Sequence, residues 1–284
     1  MIVCKSEREL AVMDEANRFV HAVLDRLARE VRPALPTSEL DRVAEGMCRE
    51  AGVRPAFKGY RGYPASVCVS INDEVVHGIP SPERTLRAGD LVSLDFGALL
   101  DGYYGDAAVT VPVGEVSGEA RRLLEVTREA LLRAVGEVRA GAHVSDVSAV
   151  VQRHVEGRGC SVVRDFVGHG IGTSLHEEPK VPNFGEPGHG PRLREGMVLA
   201  IEPMVTLGSW KVRTDPDRWT VRTEDGSLAA HFEYSVAVTA EGPWILGVEG
   251  ARRRERRSPD EAREGPPAGL KSGGASRTSA AGAR

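Results

Sequence analysis

Apolar side chains in the first thirty residues recur with a period near 3.6. Leu10, Met13, Phe19, Val20, Val23, Leu24, Leu27 and Val31 fall on one face, which predicts a helix from Ser6 to about Arg32. Ser6 followed three positions later by Glu9 makes a capping-box pattern at its start. The same period predicts helices from near Thr37 to Gly52, from Glu119 to Arg139 and from Ser145 to Gly159. Between and after them lie β-rich stretches at Ser66–Ile71, Leu91–Ala98, Asp106–Val111, Val198–Thr206, Trp219–Thr223 and Phe232–Thr239. The segment Arg32–Gly52 also lies over Arg139–Gly159 at a shift of 107, with Arg32 on Arg139, Leu40 on Val147, Val43 on Val150 and Gly52 on Gly159. Each copy is a helix that follows a long helix and precedes strands. One α/β domain built from two related halves, with a site between them, is the expectation; chance similarity of two amphipathic helices is the plain alternative.

The apolar pattern is interrupted where it matters. "VSLDFGALLDGYYGDAAVTV" (Val92–Val111) places Asp95 and Asp106 inside a run of Val, Leu, Phe and Tyr. Buried carboxylates repel each other and lose hydration unless a cation or a proton sits between them. A four-residue loop at Leu99–Gly102 would pair residues whose numbers sum to 201 and set the two acids face to face, Cβ atoms ~5 Å apart. A tighter Asp101-Gly102 turn would set them diagonally, still on one face. Two such carboxylates suit a dinuclear metal site, with ions ~3.5–4 Å apart; surface acids on a solvated strand are the bland reading. Glu202 in "VLAIEPM" and Glu233 in "HFEYSVAV" are also isolated acids in apolar strands. His169 stands between two glycines in "GHGIG", His176 follows seven residues on, and His77 ends "VVH". His231 shares the strand face of Glu233 and belongs behind the site rather than in it.

Composition narrows the classes. Of 284 residues 41% are apolar and 27% charged, as in an ordinary soluble globular chain. No apolar run approaches the ~18 residues of a membrane span, and MIVCKSEREL has no signal-peptide core, so a cytoplasmic protein is expected. Cys4, Cys48, Cys68 and Cys160 are scattered with no C-x-x-C pair, which argues against a zinc knuckle or a disulfide framework. From Ala251 onward the chain is Arg-, Gly-, Pro-, Ser- and Ala-rich with Leu270 as its one large apolar side chain. A domain over 1–250 with a disordered tail over 251–284 is the expected division. The tail has 9 Arg/Lys and 4 Asp/Glu, so it carries +5; subtracted from −4, this leaves the body at −9. An acidic body argues against a nucleic-acid platform. The RRRERR run leaves transient contact with the ribosome open.

Taken together, Asp95, Asp106, His169, Glu202 and Glu233 resemble the metal-binding set of the methionine aminopeptidases, in the family's order and with its usual gaps. "GYRGYPASVCVSINDEVVHGIP" (Gly59–Pro80) is similar to that family's substrate-side segment. The resemblance covers about residues 2–249 and points to the short bacterial form of type I. It implies the pita-bread α/β fold, a curved antiparallel sheet with flanking helices and two related halves. It implies two divalent ions (Co, Mn, Fe or Zn), bridged by Asp106 and Glu233, with Asp95 completing one shell and His169 and Glu202 the other. By the same resemblance Glu202 takes a proton from water, His176 stabilises the developing oxyanion and His77 contacts the amide nitrogen. A methionine pocket would come from Phe57, Tyr60, Tyr63, Cys68, Leu175 and Trp210. Leu175 stands where the family commonly has Phe, Phe57 where many bacterial members have Cys, and Tyr234 where His is usual. The implied activity is removal of the initiator methionine from nascent chains with a small second residue, by a monomer. A proline-directed peptidase of the same fold and a non-catalytic binding protein of that fold are the alternatives.

Overall fold

The computed structural model describes residues 1–248; the segment expected to form the tail lies outside the described residues. Four helices form where the apolar period places them: α1 (Glu7–Glu30), α2 (Thr37–Ala51), α3 (Gly118–Glu137) and α4 (Val144–Glu156). At the start of α1 the capping box is complete: the Ser6 N–H donates to Glu9 Oε2 at 2.7 Å and the Glu9 N–H to Ser6 Oγ at 3.4 Å. α2 ends where Gly52 takes a left-handed φ of 67°, a conformation that costs glycine little.

The main sheet has nine antiparallel strands. From one edge it runs Arg54–Pro55, Leu91–Leu100, Tyr103–Pro112, Glu233–Thr239, Val198–Ile201, Gly168–Gly170 and Glu177–Val181. Cys68–Ile71 pairs alongside Leu91–Leu100, and Gly242–Ile245 alongside Glu233–Thr239. The predicted strand Val198–Thr206 is in fact two strands in different sheets, Val198–Ile201 and Met204–Thr206. The break falls at Glu202-Pro203, because proline has no N–H to continue a ladder.

The repeat at a shift of 107 is structural. α2 and α4 begin on positions related by that shift, and so do the residues beside them. Pro36 bridges Thr85 in one half, and His143 bridges Arg192 in the other. Gly89 and Gly196 both take positive φ, 94° and 82°. Each half has its own apolar core. Val20, Leu24 and Leu40 of α1 and α2 pack with Val92, Leu94 and Phe96. Leu123, Val126, Val147 and Val151 of α3 and α4 pack with Leu199 and Ile201. Each fully buried side chain of this size contributes roughly 1.5–3 kcal/mol. The halves meet where Tyr103–Pro112 pairs with Glu233–Thr239, so the carboxylates on these middle strands converge at the pseudo-twofold.

The hairpin closes on two residues rather than four. Leu100 pairs Tyr103, Asp95 pairs Ala108 and Gly97 pairs Asp106. The face-to-face register with a sum of 201 is therefore replaced by the diagonal one. Asp101 and Gly102 have φ of 48° and 84°. Positive φ at both positions matches the twist of the flanking strands, and Asp-Gly is a sequence that adopts it. The two carboxylates remain on one face.

Candidate metal centre and substrate cavity

Ala108 sits in the ladder between Asp95 on one neighbouring strand and Glu233 on the other. Asp106 lies two residues before it, on the same face. Ser235 Oγ donates to the Asp106 carbonyl at 2.9 Å, and the Asp106 N–H reaches Asn17 Oδ1 at 3.3 Å. Gly97, opposite Asp106, leaves the space that Phe57 fills: a Cβ there would stand 2.8 Å from the Phe57 ring and 3.3 Å from Asp106 Oδ1. Glu202 follows the strand end at Ile201, and its carbonyl accepts from Asn183 Nδ2 at 2.9 Å. At the repeat's shift of 107, Glu202 is the counterpart of Asp95.

His169 projects from the short strand Gly168–Gly170. Its Nδ1 lies 2.9 Å from the Gly170 carbonyl. A carbonyl only accepts, so Nδ1 carries the proton and Nε2 keeps a free lone pair. That Nε2 lies 3.6 Å from Glu202 Oε1 and 4.0 Å from Asp106 Oδ2. Asp106, His169 and Glu233 offer ligand atoms that all lie within 4.8 Å of one another. Asp95 Oδ1, Asp106 Oδ1 and Glu233 Oε1 are buried without a hydrogen-bond partner. Burial pushes the Asp95 carboxyl up to about 7. Burial, then the charges of neighbouring acids, pushes Asp106, Glu202 and Glu233 well above the carboxylate range. Burial holds His169 down to about 3, so it is neutral. Orphaned carboxylate oxygens around a neutral imidazole with a free lone pair fit a divalent cation, and hard or borderline ions suit such donors.

The carboxylates floor a cavity that opens to solvent. Phe57, Tyr60, Tyr63, Cys68 and Leu175 line it, as do His77 and His176. Cys68 pairs directly with Asp95 across the strands, and burial raises its thiol well above the usual range. The Tyr63 hydroxyl donates to the Gly78 carbonyl at 2.9 Å. Tyr60 stacks on His176 with centroids 5.3 Å apart, and its hydroxyl lies 2.9 Å from His176 Nδ1. The His169 and His176 rings are 4.2 Å apart. His77 has a φ of 61°; strain of this kind collects at functional sites. The next residue explains how it is held. The Gly78 carbonyl accepts from the Val69 N–H at 2.8 Å, and a Cβ on Gly78 would stand 2.2 Å from the Val69 oxygen.

One expected residue is elsewhere. Trp210 does not line the cavity; its ring lies under the Arg164 guanidinium, 5.0 Å away. Trp219 lines it instead, packed edge-on against Tyr63 at 5.1 Å and His77 at 6.2 Å. Two tryptophans nine residues apart are equivalent in local pattern. The available signal was Asp217, whose Oδ1 accepts from the Trp219 and Thr220 N–H groups at 2.8 and 2.9 Å and locks that turn. Arg61, at the cavity mouth, also escaped the sequence reading. His231 is 1% exposed, with Nε2 3.7 Å from Glu202 Oε2 and neither ring nitrogen hydrogen-bonded. It stands behind Glu202, away from the cavity lining.

Comparison with known proteins bears on this geometry. Residues 11–240 match the model of metallopeptidase family M24. The chain is 50% identical over 246 residues to methionine aminopeptidase of Clostridium acetobutylicum, covering 87% of this chain and 98% of that one. A crystal structure of methionine aminopeptidase from Thermotoga maritima superposes with a TM-score of 0.86 at 44% identity, covering 88% of this chain and 100% of the other. A prolidase from Pyrococcus furiosus shares the fold at a TM-score of 0.71 and 22% identity, covering 87% of this chain and 65% of that one.

Proposed function

Because the chain belongs to metallopeptidase family M24, and within it to the methionine aminopeptidases, we propose that it removes the first methionine from polypeptides whose second residue is small. The observation that carries this reading is one cavity with a carboxylate–imidazole floor and an aromatic wall. Its retained floor of acids and imidazole opposes a purely binding role. The proline-directed alternative has only likeness of fold behind it.

In this reading Asp95, Asp106, His169, Glu202 and Glu233 hold two divalent ions of the Mn, Fe, Co or Zn class. When bound, such ions bring water toward ionisation at neutral pH and polarise the scissile carbonyl. The methionine side chain lies against Phe57, Tyr63, Cys68, Leu175 and Trp219, where a thioether gains extra attraction from aromatic rings. Glu202 accepts the proton of the attacking water. With the Tyr60 hydroxyl donating to Nδ1, the neutral His176 ring has its proton on Nε2, ready to donate to the developing oxyanion. His77, held by the Gly78 turn, faces the amide nitrogen. The second residue sits beside the two histidines, so a bulky one displaces the carbonyl, and a shift of about 1 Å costs ~10²-fold in rate.

Substrates are the amino termini of nascent chains. We place the protein in the cytoplasm as a monomer; no described helix is long and apolar enough to cross a membrane. The test is hydrolysis of Met-Ala-Ser, Met-Phe-Ser and a Gly-Pro dipeptide, with and without Mn or Co. Met-Ala-Ser should be cut at least ~10²-fold better than Met-Phe-Ser, with Gly-Pro untouched. Equal kcat/KM on the first two would overturn the specificity, and cleavage of Gly-Pro alone would overturn the activity.

A further inference from the structure

The mouth of the cavity carries a cation to which the reading above gives no part. Arg61 lines the cavity and is exposed, and no ion pair ties its guanidinium among the described residues. Arg84 and Arg222, by contrast, are both bound to the buried Glu74. The backbone that presents Arg61 is fixed. The Gly59 N–H donates to the Tyr63 carbonyl at 2.8 Å, and the Tyr63 N–H to the Tyr60 carbonyl at 2.9 Å. Arg61 between them is left-handed, with φ 49° and ψ 22°. Its guanidinium carbon stands 5.4 Å from the centre of the Tyr60 ring, a geometry that orders the cation without neutralising it.

Three successive contacts lead from the floor to this cation. The rings of His169 and His176 are 4.2 Å apart, those of His176 and Tyr60 5.3 Å, and Arg61 follows at 5.4 Å from Tyr60. In the reading above the scissile bond lies at His176. A departing chain that follows this line of rings passes Tyr60 and Arg61. An extended chain advances ~3.3–3.6 Å per residue, so the third and fourth residues of the substrate pass the guanidinium.

We propose that Arg61 is a specificity determinant beyond the second residue: it binds a side-chain carboxylate at position three or four of the substrate, so that Met-small chains continuing with Asp or Glu are preferred over those continuing with Lys. Arginine suits this role because its planar fork pairs with carboxylates in two hydrogen bonds. The proposal rests on the aminopeptidase reading and adds a substrate class to it.

The test uses amidated tetrapeptides, which lack a terminal carboxylate: Met-Ala-Glu-Ser, Met-Ala-Lys-Ser and the neutral Met-Ala-Gln-Ser. They are assayed with the metal-loaded full chain and with Arg61→Gln and Arg61→Glu. The readout is the Glu:Lys ratio of kcat/KM within each protein, which cancels any general loss of activity. Exposed pairs of this kind are worth roughly two- to fivefold, so the wild-type ratio should be about five at low ionic strength and should enter through KM. It should fall to about one in Arg61→Gln and below one in Arg61→Glu. In the wild type it should also collapse toward one at ~1 M salt, where the screening length is ~3 Å. A wild-type ratio at or below one, a ratio that persists in ~1 M salt, or the same ratio in Arg61→Glu overturns the proposal. Failure of the wild type to release methionine even from the neutral peptide overturns the aminopeptidase reading, and this proposal with it.

Discussion

Asp106 is the residue on which the site turns. It faces His169 and Glu233 within the 4.8 Å group, and its Oδ1 has no partner in the protein. An amide of the same shape cannot supply a bridging negative charge. Asp106→Asn should therefore lose metal and turnover together, read by metal analysis and Met-Ala-Ser hydrolysis. The metal-free variant should melt no lower than the metal-free parent, because burial disfavours the charged form of the parent carboxyl and a neutral amide carries no such penalty. Normal turnover with full metal content would sink its assignment as a ligand. His176 calls for the opposite pattern. His176→Ala should lower kcat by roughly 10²–10³ and leave bound metal unchanged, whereas loss of metal would make it a ligand. The two tryptophans give a paired comparison. Trp219→Ala should raise KM for methionyl peptides about tenfold, the scale of one well-packed aromatic contact. Trp210→Ala, away from the cavity, should leave KM near its original value.

At the scale of elements, the segment carrying His176 is tied to the start of the chain. Lys5 Nζ lies 2.7 Å from Glu177 Oε2, with side-chain exposures of 3% and 12%. Glu177 Oε1 also accepts from the Ser174 N–H at 3.1 Å. Lys5 runs directly over Gly172, where a Cβ would stand 2.4 Å from Lys5 Cε. Deleting one member of a buried pair leaves the other charge uncompensated, at a cost of about 3 kcal/mol or more. Lys5→Met should lose about that much stability in urea unfolding, and adding Glu177→Gln should restore part of it. An unchanged midpoint would show that the pair contributes nothing.

The molecule as a whole should register the carboxylate floor as a dependence of stability on pH. Raised carboxyls stabilise the metal-free fold below their unfolded values near pH 4, and that stabilisation is lost as pH rises through the folded values, about 7 for Asp95, with Asp106, Glu202 and Glu233 raised in the same direction by burial and by one another. The depressed histidines act oppositely. His77 at about 4, and His169 and His231 at about 3, cost stability as pH falls below ~6.5. The two sets oppose each other between about pH 4 and 6.5, and above that only the carboxyls remain. The metal-free Tm should therefore fall between about pH 6.5 and 8.5, while the metal-saturated Tm should not, since ion binding is favoured by deprotonation. A metal-free Tm that rises over that range would contradict the burial of these acids.

What the chain alone determined was local or repetitive. The helices follow from an apolar period and from Ser6 with Glu9, because helix formation depends on neighbours three and four residues away. The related halves follow from a repeat that keeps Gly52 over Gly159. The acids of the site stood out because Asp95, Asp106, Glu202 and Glu233 interrupt apolar strands, and charge does not belong there without a partner. Tertiary structure decided what depends on distant segments or on a choice between equal local patterns. A two-residue turn set Asp95 diagonal to Asp106, a register that the strand pattern left open because both turns keep the acids on one face. Trp219 rather than Trp210 entered the cavity, since an aromatic side chain is placed by what it packs against, here Tyr63 and His77. Arg61 acquired its place at the mouth only when Tyr60 met His176, 116 residues away in the chain.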